Sequence, residues 1–599
     1  MSAFNPSFGA QLVAPSRTRF RLWAPDKEQV SVEIEGMPAQ PMTRLPDGWF
    51  EAEAGCGAGA RYRYRVDPGL VVPDPASRMQ AGDVHDASTV CDPDSYRWQN
   101  TGWSGRPWHE AVLYELHVGA LGGKEGFRGV ARLLPELAEL GVTAIELMPV
   151  ADFPGPRNWG YDGVLPYAPD AAYGTPDQLK ALIDVAHGLD MMVFLDVVYN
   201  HFGPDGNYLG AYASSFFRDD IHTPWGDAID FRRQQVRDFF TENALYWIHE
   251  FRCDGLRLDA VHAISEKDWL VELAQRVRAS VPAQRHVHLV LENDDNGARL
   301  LQREPQRLYD AQWNDDMHHV LHAMLTGERE GYYAGYVNQP AEKLARGLAE
   351  GFIYQGEAPL YAGRPPRGEP SAHLPPTSFV FFLQNHDQVG NRAFGERLVT
   401  LADPQALRAA IALLLLSPQI PLLFMGEEYG AIQPFLHFTS HLTPELADAV
   451  RSGRRQEFAR FSAFSDPAQR ERIPDPNAER TFLASIPRPD DETAVAWREW
   501  TRSLLAVRHT HIVPRLPDAR ALGAEIIGPA AVKARWRMAD GRVLMAAINL
   551  GDAPAPISYS RLADGQGGTI LFATGGVENA VPSDALPSRA FIAVLEAAA

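Results

Sequence analysis

This 599-residue chain has few cysteines, no long apolar run and no excess of basic residues. Its three cysteines, Cys56, Cys91 and Cys253, are an odd number spread over three regions, which suits neither a disulfide framework nor paired metal ligands. No segment approaches the roughly 18 unbroken apolar residues of a membrane span, and residues 1–20 lack a basic stretch followed by an apolar one. These absences predict a cytoplasmic protein that is neither secreted nor membrane-spanning.

The charge balance of the chain is acidic. Against 76 Asp and Glu there are 56 Lys and Arg, so the formal net charge is -20. Nucleic acids and anionic membranes attract clustered basic residues, so neither is an expected partner, and the ligand should be neutral or cationic. The sequence alone does not predict the oligomeric state.

Three segments of different periodicity divide the chain, in line with a length prior of roughly 100–200 residues per domain. From Arg19 to Val66 apolar and polar residues alternate between Pro and Gly turns, which predicts a β-sandwich within a first domain, residues 1–105, that ends in a linker. Residues 106–512 form the predicted middle domain. In residues 513–599 alternation returns around Asp540-Gly541, a hairpin signal, so a second antiparallel β-domain is expected.

Eight short apolar runs alternate with helical segments in the middle domain. They read VLYELHVG, GVTAIELMPV, MMVFLDVVYNH, GLRLDAV, VHLVLEND, YDAQWND, SFVFFLQNHDQ and IPLLFMGEE. Nearly continuous apolar strands joined by helices indicate a parallel sheet, and eight repeats predict a closed (β/α)8 barrel with insertions. An open doubly wound sheet is the alternative, but no Gly-rich phosphate loop follows the first strand, so closure is favoured.

Three acidic residues end apolar runs of this predicted barrel: Asp259 in GLRLDAVH, Glu292 in HLVLEND and Asp387 in FFLQNHDQ. Active sites of such barrels lie at the C-terminal ends of the strands, where a buried carboxylate is unfavourable unless it is paired or used. Arg257 should share a face with Asp259 and keep it ionised, whereas few cations are expected near Glu292, which suits a partly protonated general acid. One such acid is most often a salt-bridge partner, but three together favour acid/base and nucleophilic chemistry.

The motifs DVVYNH, GLRLDAVH, LEND and QNHDQ resemble, in that order, the four sequence regions of the α-amylase superfamily of glycoside hydrolases. The resemblance implies that Asp259 is the nucleophile, Glu292 the general acid/base and Asp387 the transition-state stabiliser. It also implies a sugar pocket lined by Tyr161, His201, Arg257 and His386. Tyr161 would be a stacking platform, although a loop tyrosine is otherwise more often a packing residue.

Longer strings, among them YNHFGPDGNYL, LENDDN, AQWNDDMHH and LLFMGEEYG, resemble one subgroup of that superfamily. They imply a retaining hydrolase that cleaves the α-1,4-glucosidic bond next to the terminal trehalose of maltooligosyltrehalose, a neutral oligosaccharide, without a cofactor. The superfamily's immunoglobulin-like N-terminal sandwich and C-terminal β-domain match the outer segments. A branching or debranching enzyme of the same superfamily stays open, and a non-catalytic glycan-binding protein is more remote, because it should have lost at least one of the three carboxylates.

Two further groups of polar residues lie at predicted strand ends. A metal could in principle be held by residues of WNDDMHH, namely Asp315, Asp316, His318 and His319. Hydrogen bonding within the loop, or shaping of the acceptor pocket, is favoured over metal binding as the role of these residues. No metal is therefore expected. Glu427 and Glu428 follow the eighth run and are expected to support the site, with one of the two pointing away.

Overall fold

The computed structural model describes residues 6–223, 225–359, 365–489, 492–557, 568–577 and 584–597. Within these ranges two N-terminal sheets precede a closed eight-stranded parallel barrel, and an antiparallel sheet follows it. The predicted fold class is confirmed. The domain boundaries after residues 105 and 512 stay predictions.

The barrel is built from the eight predicted apolar runs. Its strands are β1 Leu113–Leu116, β2 Ala144–Leu147, β3 Met192–Val197, β4 Gly255–Leu258, β5 His288–Leu291, β6 Ala311–Trp313, β7 Phe379–Phe381 and β8 Ile420–Phe424. Each strand pairs in parallel with its neighbours, and β8 pairs with β1, which closes the cylinder. Every strand residue is buried, as expected of a parallel sheet that is covered by helices outside and packed inside.

Helices surround the barrel. The longer ones are Phe127–Leu140, Pro176–Gly188, Gln234–His249, Lys267–Ser280, Asp315–Thr326, Pro340–Glu350, Pro404–Leu416 and Glu492–Val507. Thr175 begins the second of them with a capping box, since its hydroxyl accepts from the Gln178 amide while the Gln178 side chain accepts from the Thr175 amide. The helix buries one apolar face, formed by Leu179, Leu182, Ile183 and Ala186.

The insertion between β8 and the closing barrel helix is helical. It contains helices Pro444–Phe458, Pro467–Glu471 and Glu479–Ala484. The closing helix spans Glu492–Val507. The next residue, Arg508, is fully buried, and its guanidinium donates to the main-chain oxygens of Leu415, Ser417 and Gln419, which ties the helix to the chain that enters β8.

Antiparallel sheets flank the barrel at both ends of the chain. The first N-terminal sheet contains Gly9–Ala14, Arg17–Trp23, Thr43–Arg44 and Trp49–Ala54, and the second contains Ser31–Ile34, Gln40–Pro41, Arg61–Asp67, Leu70–Val72 and Ser88–Thr89. The main C-terminal sheet contains Arg520–Gly528, Ala531–Arg537, Val543–Asn549, Gly568–Ala573 and Ala590–Glu596. Arg537 pairs with Val543 across the predicted Asp540-Gly541 hairpin. None of the described helices is both long and apolar enough to cross a bilayer.

Candidate active site

Arg257 on β4 is the centre of a polar cluster at the C-terminal mouth of the barrel. Its guanidinium is buried and contacts three carboxylates: Nη1 donates to Asp196 Oδ2 at 2.6 Å and to Asp259 Oδ1 at 2.8 Å, and Nη2 donates to Glu292 Oε2 at 2.7 Å. The parallel register explains this arrangement. Asp196 on β3 lies opposite Arg257, and β4 and β5 end level with each other, so the residues that follow them are neighbours.

Asp259 follows β4 directly and is only 9% exposed. Burial alone would raise its pKa, but the charge of Arg257 and hydrogen bonds, including one from Asn200 Nδ2 at 2.8 Å, outweigh burial. The pKa of Asp259 is therefore lowered below its ordinary value. At neutral pH the site holds an ionised carboxylate at this position, which is the form that a nucleophile requires.

Glu292 follows β5 directly, and the expectation that few cations lie near it was wrong, because Arg257 contacts its carboxyl. The Ala260 amide also donates to Glu292 Oε2, at 2.8 Å. Burial nevertheless raises the pKa of Glu292 well above its ordinary value, and the charges of Asp259 and Asp387 add to that effect. One arginine shared among three acids thus leaves this carboxyl protonated, as a general acid requires.

Asp387 is not at the end of its strand. It lies in the short helix His386–Gly390, beyond the end of β7, and the Asn385 side chain caps that helix. Its carboxylate accepts from Asn391 Nδ2 at 2.9 Å and is 36% exposed, so part of it faces the mouth of the barrel. The predicted trio of acids is therefore brought together, with Asp387 reaching the cluster from a helix.

His386 is a cation in this site. Burial alone would lower its pKa, but the carboxylates of Glu115 and Asp387 outweigh burial and raise the pKa to about 9. Glu115 Oε1 lies 2.5 Å from His386 Nδ1, and Glu115 Oε2 accepts from the His386 amide at 2.9 Å. The imidazolium is thereby held with Nε2 3.6 Å from Asp387 Oδ1.

Tyr161 and His201 complete the predicted sugar pocket. The Tyr161 ring stacks on His386 with centroids 4.9 Å apart, and its hydroxyl donates to Asp196 Oδ2 at 2.6 Å. His201 Nε2 donates to the main-chain oxygen of Tyr161 at 2.9 Å, and burial lowers the pKa of His201. The four residues predicted to bind sugar therefore lie around one cluster, while their binding role stays a prediction.

Trp225 is a site residue that sequence reasoning missed. It lies between strands Phe217–Thr223 and Gly226–Ile229, and its ring stacks on His201 with centroids 4.4 Å apart and planes at 14°. Its side chain is 49% exposed. An indole that is supported on an imidazole and about half exposed suits stacking on a sugar ring. A single tryptophan in a polar loop carries no sequence signal of this position.

The WNDDMHH residues do not converge on one point. Asp315 accepts from Gln388 Nε2 at 3.0 Å beside the mouth, Asp316 pairs with Arg367 at 2.6 Å, and His318 Nδ1 donates to the Leu383 oxygen at 2.6 Å. His319 instead stacks on a tyrosine ring. Across the part of the chain that the structure describes, no group of three or more His, Cys, Asp or Glu side chains is placed to hold a metal ion.

Glu427 and Glu428 both point inward, so the expectation that one of them points away was wrong. Glu427 accepts from Gln384 Nε2 at 2.7 Å, which links the loop after β8 to the loop after β7. Glu428 accepts from the Tyr114 hydroxyl at 2.9 Å, which links the same loop to β1. Both acids are buried, and their hydrogen bonds hold the loop after β8 against the loop after β7 and against β1.

Comparisons with known proteins agree with this geometry. The alpha amylase catalytic-domain model matches residues 100–223, and a domain of unknown function matches residues 519–592. The malto-oligosyltrehalose trehalohydrolase of Deinococcus radiodurans is 44% identical over 78% of this chain and 76% of its own length. The 1,4-alpha-glucan branching enzyme of Burkholderia thailandensis is 31% identical but covers 42% of this chain and 34% of its own. The crystal structure of a candidate alpha amylase from Salmonella typhimurium matches at a TM-score of 0.91 and 44% identity, covering 99% of this chain and 100% of that one.

Proposed function

The chain belongs to the malto-oligosyltrehalose trehalohydrolase family, and we propose that it hydrolyses the α-1,4-glucosidic bond between a maltooligosaccharide and its terminal trehalose unit. The family membership confirms the subgroup that the longer sequence strings predict. One observation carries the proposed mechanism: an ionised Asp259 and a protonated Glu292 share the guanidinium of Arg257 at the mouth of the barrel.

In the first step Asp259 attacks the anomeric carbon of the glucose that precedes the trehalose unit. Glu292 gives its proton to the glycosidic oxygen as that bond breaks, so trehalose leaves as an alcohol and the maltooligosaccharide remains as an ester of Asp259. In the second step Glu292 takes a proton from water, whose oxygen attacks the same carbon and releases Asp259. The two displacements together retain the anomeric configuration.

The spacing of the two carboxyl groups supports a retaining mechanism. Both carboxyl groups contact the same guanidinium, Asp259 at Nη1 and Glu292 at Nη2 of Arg257. Inverting glycosidases hold their carboxyl groups roughly 6.5–9.5 Å apart to leave room for a water molecule, whereas retaining enzymes hold them about 5–5.5 Å apart. Two carboxyl groups held by the terminal nitrogens of one guanidinium lie close together, so the shorter class fits.

The same contacts explain how Glu292 can change from acid to base. The negative charge of Asp259 is one of the causes that raise the pKa of Glu292. Once Asp259 carries the sugar as an ester that charge is gone, so the pKa of Glu292 falls. The carboxylate that results accepts a proton from water in the second step.

The other residues of the cluster would bind the sugar at the cleaved bond. Asp387, partly exposed and next to the His386 imidazolium, can accept hydrogen bonds from sugar hydroxyls, while Tyr161 and Trp225 offer ring faces. His201 stacks on the Trp225 ring, and His386 stacks on the Tyr161 ring. We also propose a cytoplasmic location, because all three cysteines are free in the described structure.

Product analysis tests the proposed reaction. Incubation with maltooligosyltrehalose should release free trehalose and a shorter maltooligosaccharide, and plain maltooligosaccharide of equal length should be cleaved more slowly. Chromatography of the products with NMR of the anomeric protons measures both and reports whether the α configuration is retained. New branch points without trehalose would instead assign the chain to the branching alternative.

The pH profile should move when Asp315 is replaced by asparagine. Glu292 must be protonated for the first step, so the rate falls as pH rises through its pKa, and the charge of Asp315 helps to raise that pKa. The pKa of Asp315 is itself raised to about 7, by burial first and by Asp387 second, so its charge acts mainly above that pH. Asp315→Asn should shift the basic limb of kcat/KM to lower pH.

Profiles of kcat/KM from pH 4 to 10 would measure this shift, with Asp67→Asn as the matched control. Asp67 is an exposed acid in the N-terminal sheets, paired with Lys27, and its loss should leave the basic limb in place. If the basic limb of the kcat/KM profile is unchanged in Asp315→Asn, or moves to higher pH, the assignment of Glu292 as the acid is contradicted.

Replacing Trp225 with alanine should weaken substrate binding. Loss of a stacking face that contributes about 1 kcal/mol or more beyond simple burial should raise KM about tenfold, with little change in kcat because the ring does not touch the carboxyl groups. Initial rates over a range of substrate concentrations separate the two constants. Trp225→Phe keeps an aromatic face and should recover most of the affinity, and an unchanged KM in the alanine variant would remove Trp225 from the substrate site.

A further inference from the structure

A cavity of about 220 Å³ opens at the N-terminal rim of the barrel, on the face opposite the catalytic mouth. Its walls are formed by the segments that precede β1, β5, β6 and β7, and by the chain that enters the C-terminal sheet. Six of its lining side chains are arginine or histidine: His109, His286, His288, Arg303, Arg307 and Arg520. Asp518 is the one carboxylate among the lining residues that the structure describes.

This concentration of positive charge runs against the composition of the chain. The protein has a formal net charge of -20, so a cluster of arginines is not a simple consequence of a basic surface. Guanidinium groups that face one another across a small space repel, and they stay together at lower cost when an anion lies between them.

Two of the three arginines lack a carboxylate partner. Arg303 Nη2 donates to Thr377 Oγ1 at 3.0 Å, and Arg520 Nη1 donates to the Ala519 oxygen at 3.1 Å. Neither has a carboxylate oxygen within 4 Å in the described ranges. Arg307 pairs with Asp310, yet its side chain is still 41% exposed. Most of the N–H groups of these guanidiniums are therefore available to a ligand.

The electrostatics of the cavity also favour an anion. Burial lowers the pKa of Arg303, and the charges of Arg307 and Arg520 lower it further, while Asp310 and Asp518 act in the opposite direction. Burial likewise lowers the pKa of His286, so this imidazole is neutral at neutral pH and can donate or accept a hydrogen bond. A bound anion would offset the repulsion among the arginines.

The shape of the cavity restricts the kind of anion. Guanidinium groups bind phosphate oxygens in pairs of parallel hydrogen bonds, and three of them suit a dianion. The cavity could hold about seven water molecules at ~30 Å³ each, which is room for a phosphoryl group and a small organic part but not for a drug-sized ligand of roughly 300 Å³ or more. Trp108 and Leu516 form an apolar wall for that organic part.

From these observations we propose that the cavity at the N-terminal rim binds a phosphate group, either free or carried by a small metabolite. The site is separate from the carboxylate cluster and independent of the proposed hydrolysis.

Calorimetric titration of the full-length protein tests this binding at constant ionic strength. The ligands are inorganic phosphate, glucose 6-phosphate, succinate as a dicarboxylate dianion, and uncharged glucose. The variants are Arg303→Gln and Arg520→Gln, with Arg44→Gln as the matched control, because Arg44 is an exposed arginine of the N-terminal sheets paired with Glu28. Release of trehalose from maltooligosyltrehalose should be unchanged in all three variants, and this checks that each is folded.

Wild-type protein and Arg44→Gln should bind one phosphate-bearing ligand per chain, and each cavity variant should bind it about tenfold more weakly, as expected for loss of charged hydrogen bonds. Tighter binding of glucose 6-phosphate than of phosphate would assign the site to a phosphorylated metabolite, and equal binding would assign it to free phosphate. Equal affinity in all variants, equally tight binding of succinate, or no binding by wild type up to about 10 mM would each overturn the proposal.

Discussion

Replacing Asp259 with asparagine is expected to lower kcat about 10⁴-fold, because an amide cannot form the glycosyl ester on which the proposed mechanism depends. The change is nearly isosteric and removes one charge from a cluster in which Arg257 still contacts Asp196 and Glu292. The variant should therefore stay folded. Trehalose release under saturating substrate, together with thermal unfolding, measures the two effects separately.

A comparison with Glu292→Gln distinguishes the nucleophile from the acid. A substrate whose leaving group needs no proton, such as a glycosyl fluoride, should restore much of the first step in Glu292→Gln and none of it in Asp259→Asn. The control is Asp67→Asn, at an exposed acid outside the barrel. This variant should keep wild-type rates with both substrates. Activity of Asp259→Asn within about tenfold of wild type would remove Asp259 from the role of nucleophile.

The barrel strands and two of the acids could be predicted because the information is local. Asp259 and Glu292 each follow a buried apolar strand directly, so strand pattern alone locates them at the C-terminal mouth. Asp387 was also predicted to end an apolar run, but its position in a helix beyond β7 could not be predicted, since the turn between them has no periodic signal.

The contacts that set the charges of the site could not be predicted, because they join residues far apart in the chain. Glu115 on β1 meets His386 after β7 only because β8 closes the cylinder between those strands. Arg257 reaches Glu292 across the register of β4 and β5, which is why the expected lack of cations there was wrong.

Glu146 on β2 is a further case in which packing inside the barrel decides the charge of an acid. It lies opposite Glu115 in the strand register, is buried, and neither of its carboxyl oxygens has a hydrogen-bond partner in the described structure. Burial raises its pKa well above the ordinary value, and the charge of Glu115 adds to that effect. Glu146 is therefore a neutral acid, whereas an isolated glutamate in a sequence is expected to be charged.

Replacing Arg257 with methionine is expected to destabilise the fold and abolish turnover together. Three carboxyl groups that share one guanidinium would lose it, and removal of one partner from a buried ionic contact costs about 3–5 kcal/mol of unfolding free energy. The pKa of Asp259 should then rise, since burial remains and the charge that opposed it is gone. Less ionised nucleophile at neutral pH should reduce kcat at least about 10³-fold.

The destabilisation should depend on pH with a defined sign. In wild type the lowered pKa of Asp259 contributes stability above its unfolded pKa, and this is lost as pH falls through the folded value. In Arg257→Met the folded pKa of Asp259 lies above the unfolded one, so the variant loses stability as pH rises. The difference in unfolding free energy between the two proteins should therefore be larger at pH 8 than at pH 4.

Urea denaturation at both pH values measures that difference, and Arg257→Lys tests whether positive charge alone is enough. A single ammonium group cannot donate to three separate carboxylates in the fork geometry of a guanidinium, so the lysine variant should recover part of the stability and little of the turnover. Arg44→Met, at an exposed arginine, controls for loss of one charge. A gap that is equal at the two pH values, or larger at pH 4, would mean that Arg257 stabilises the barrel by packing against Trp313 and not by holding the acids ionised.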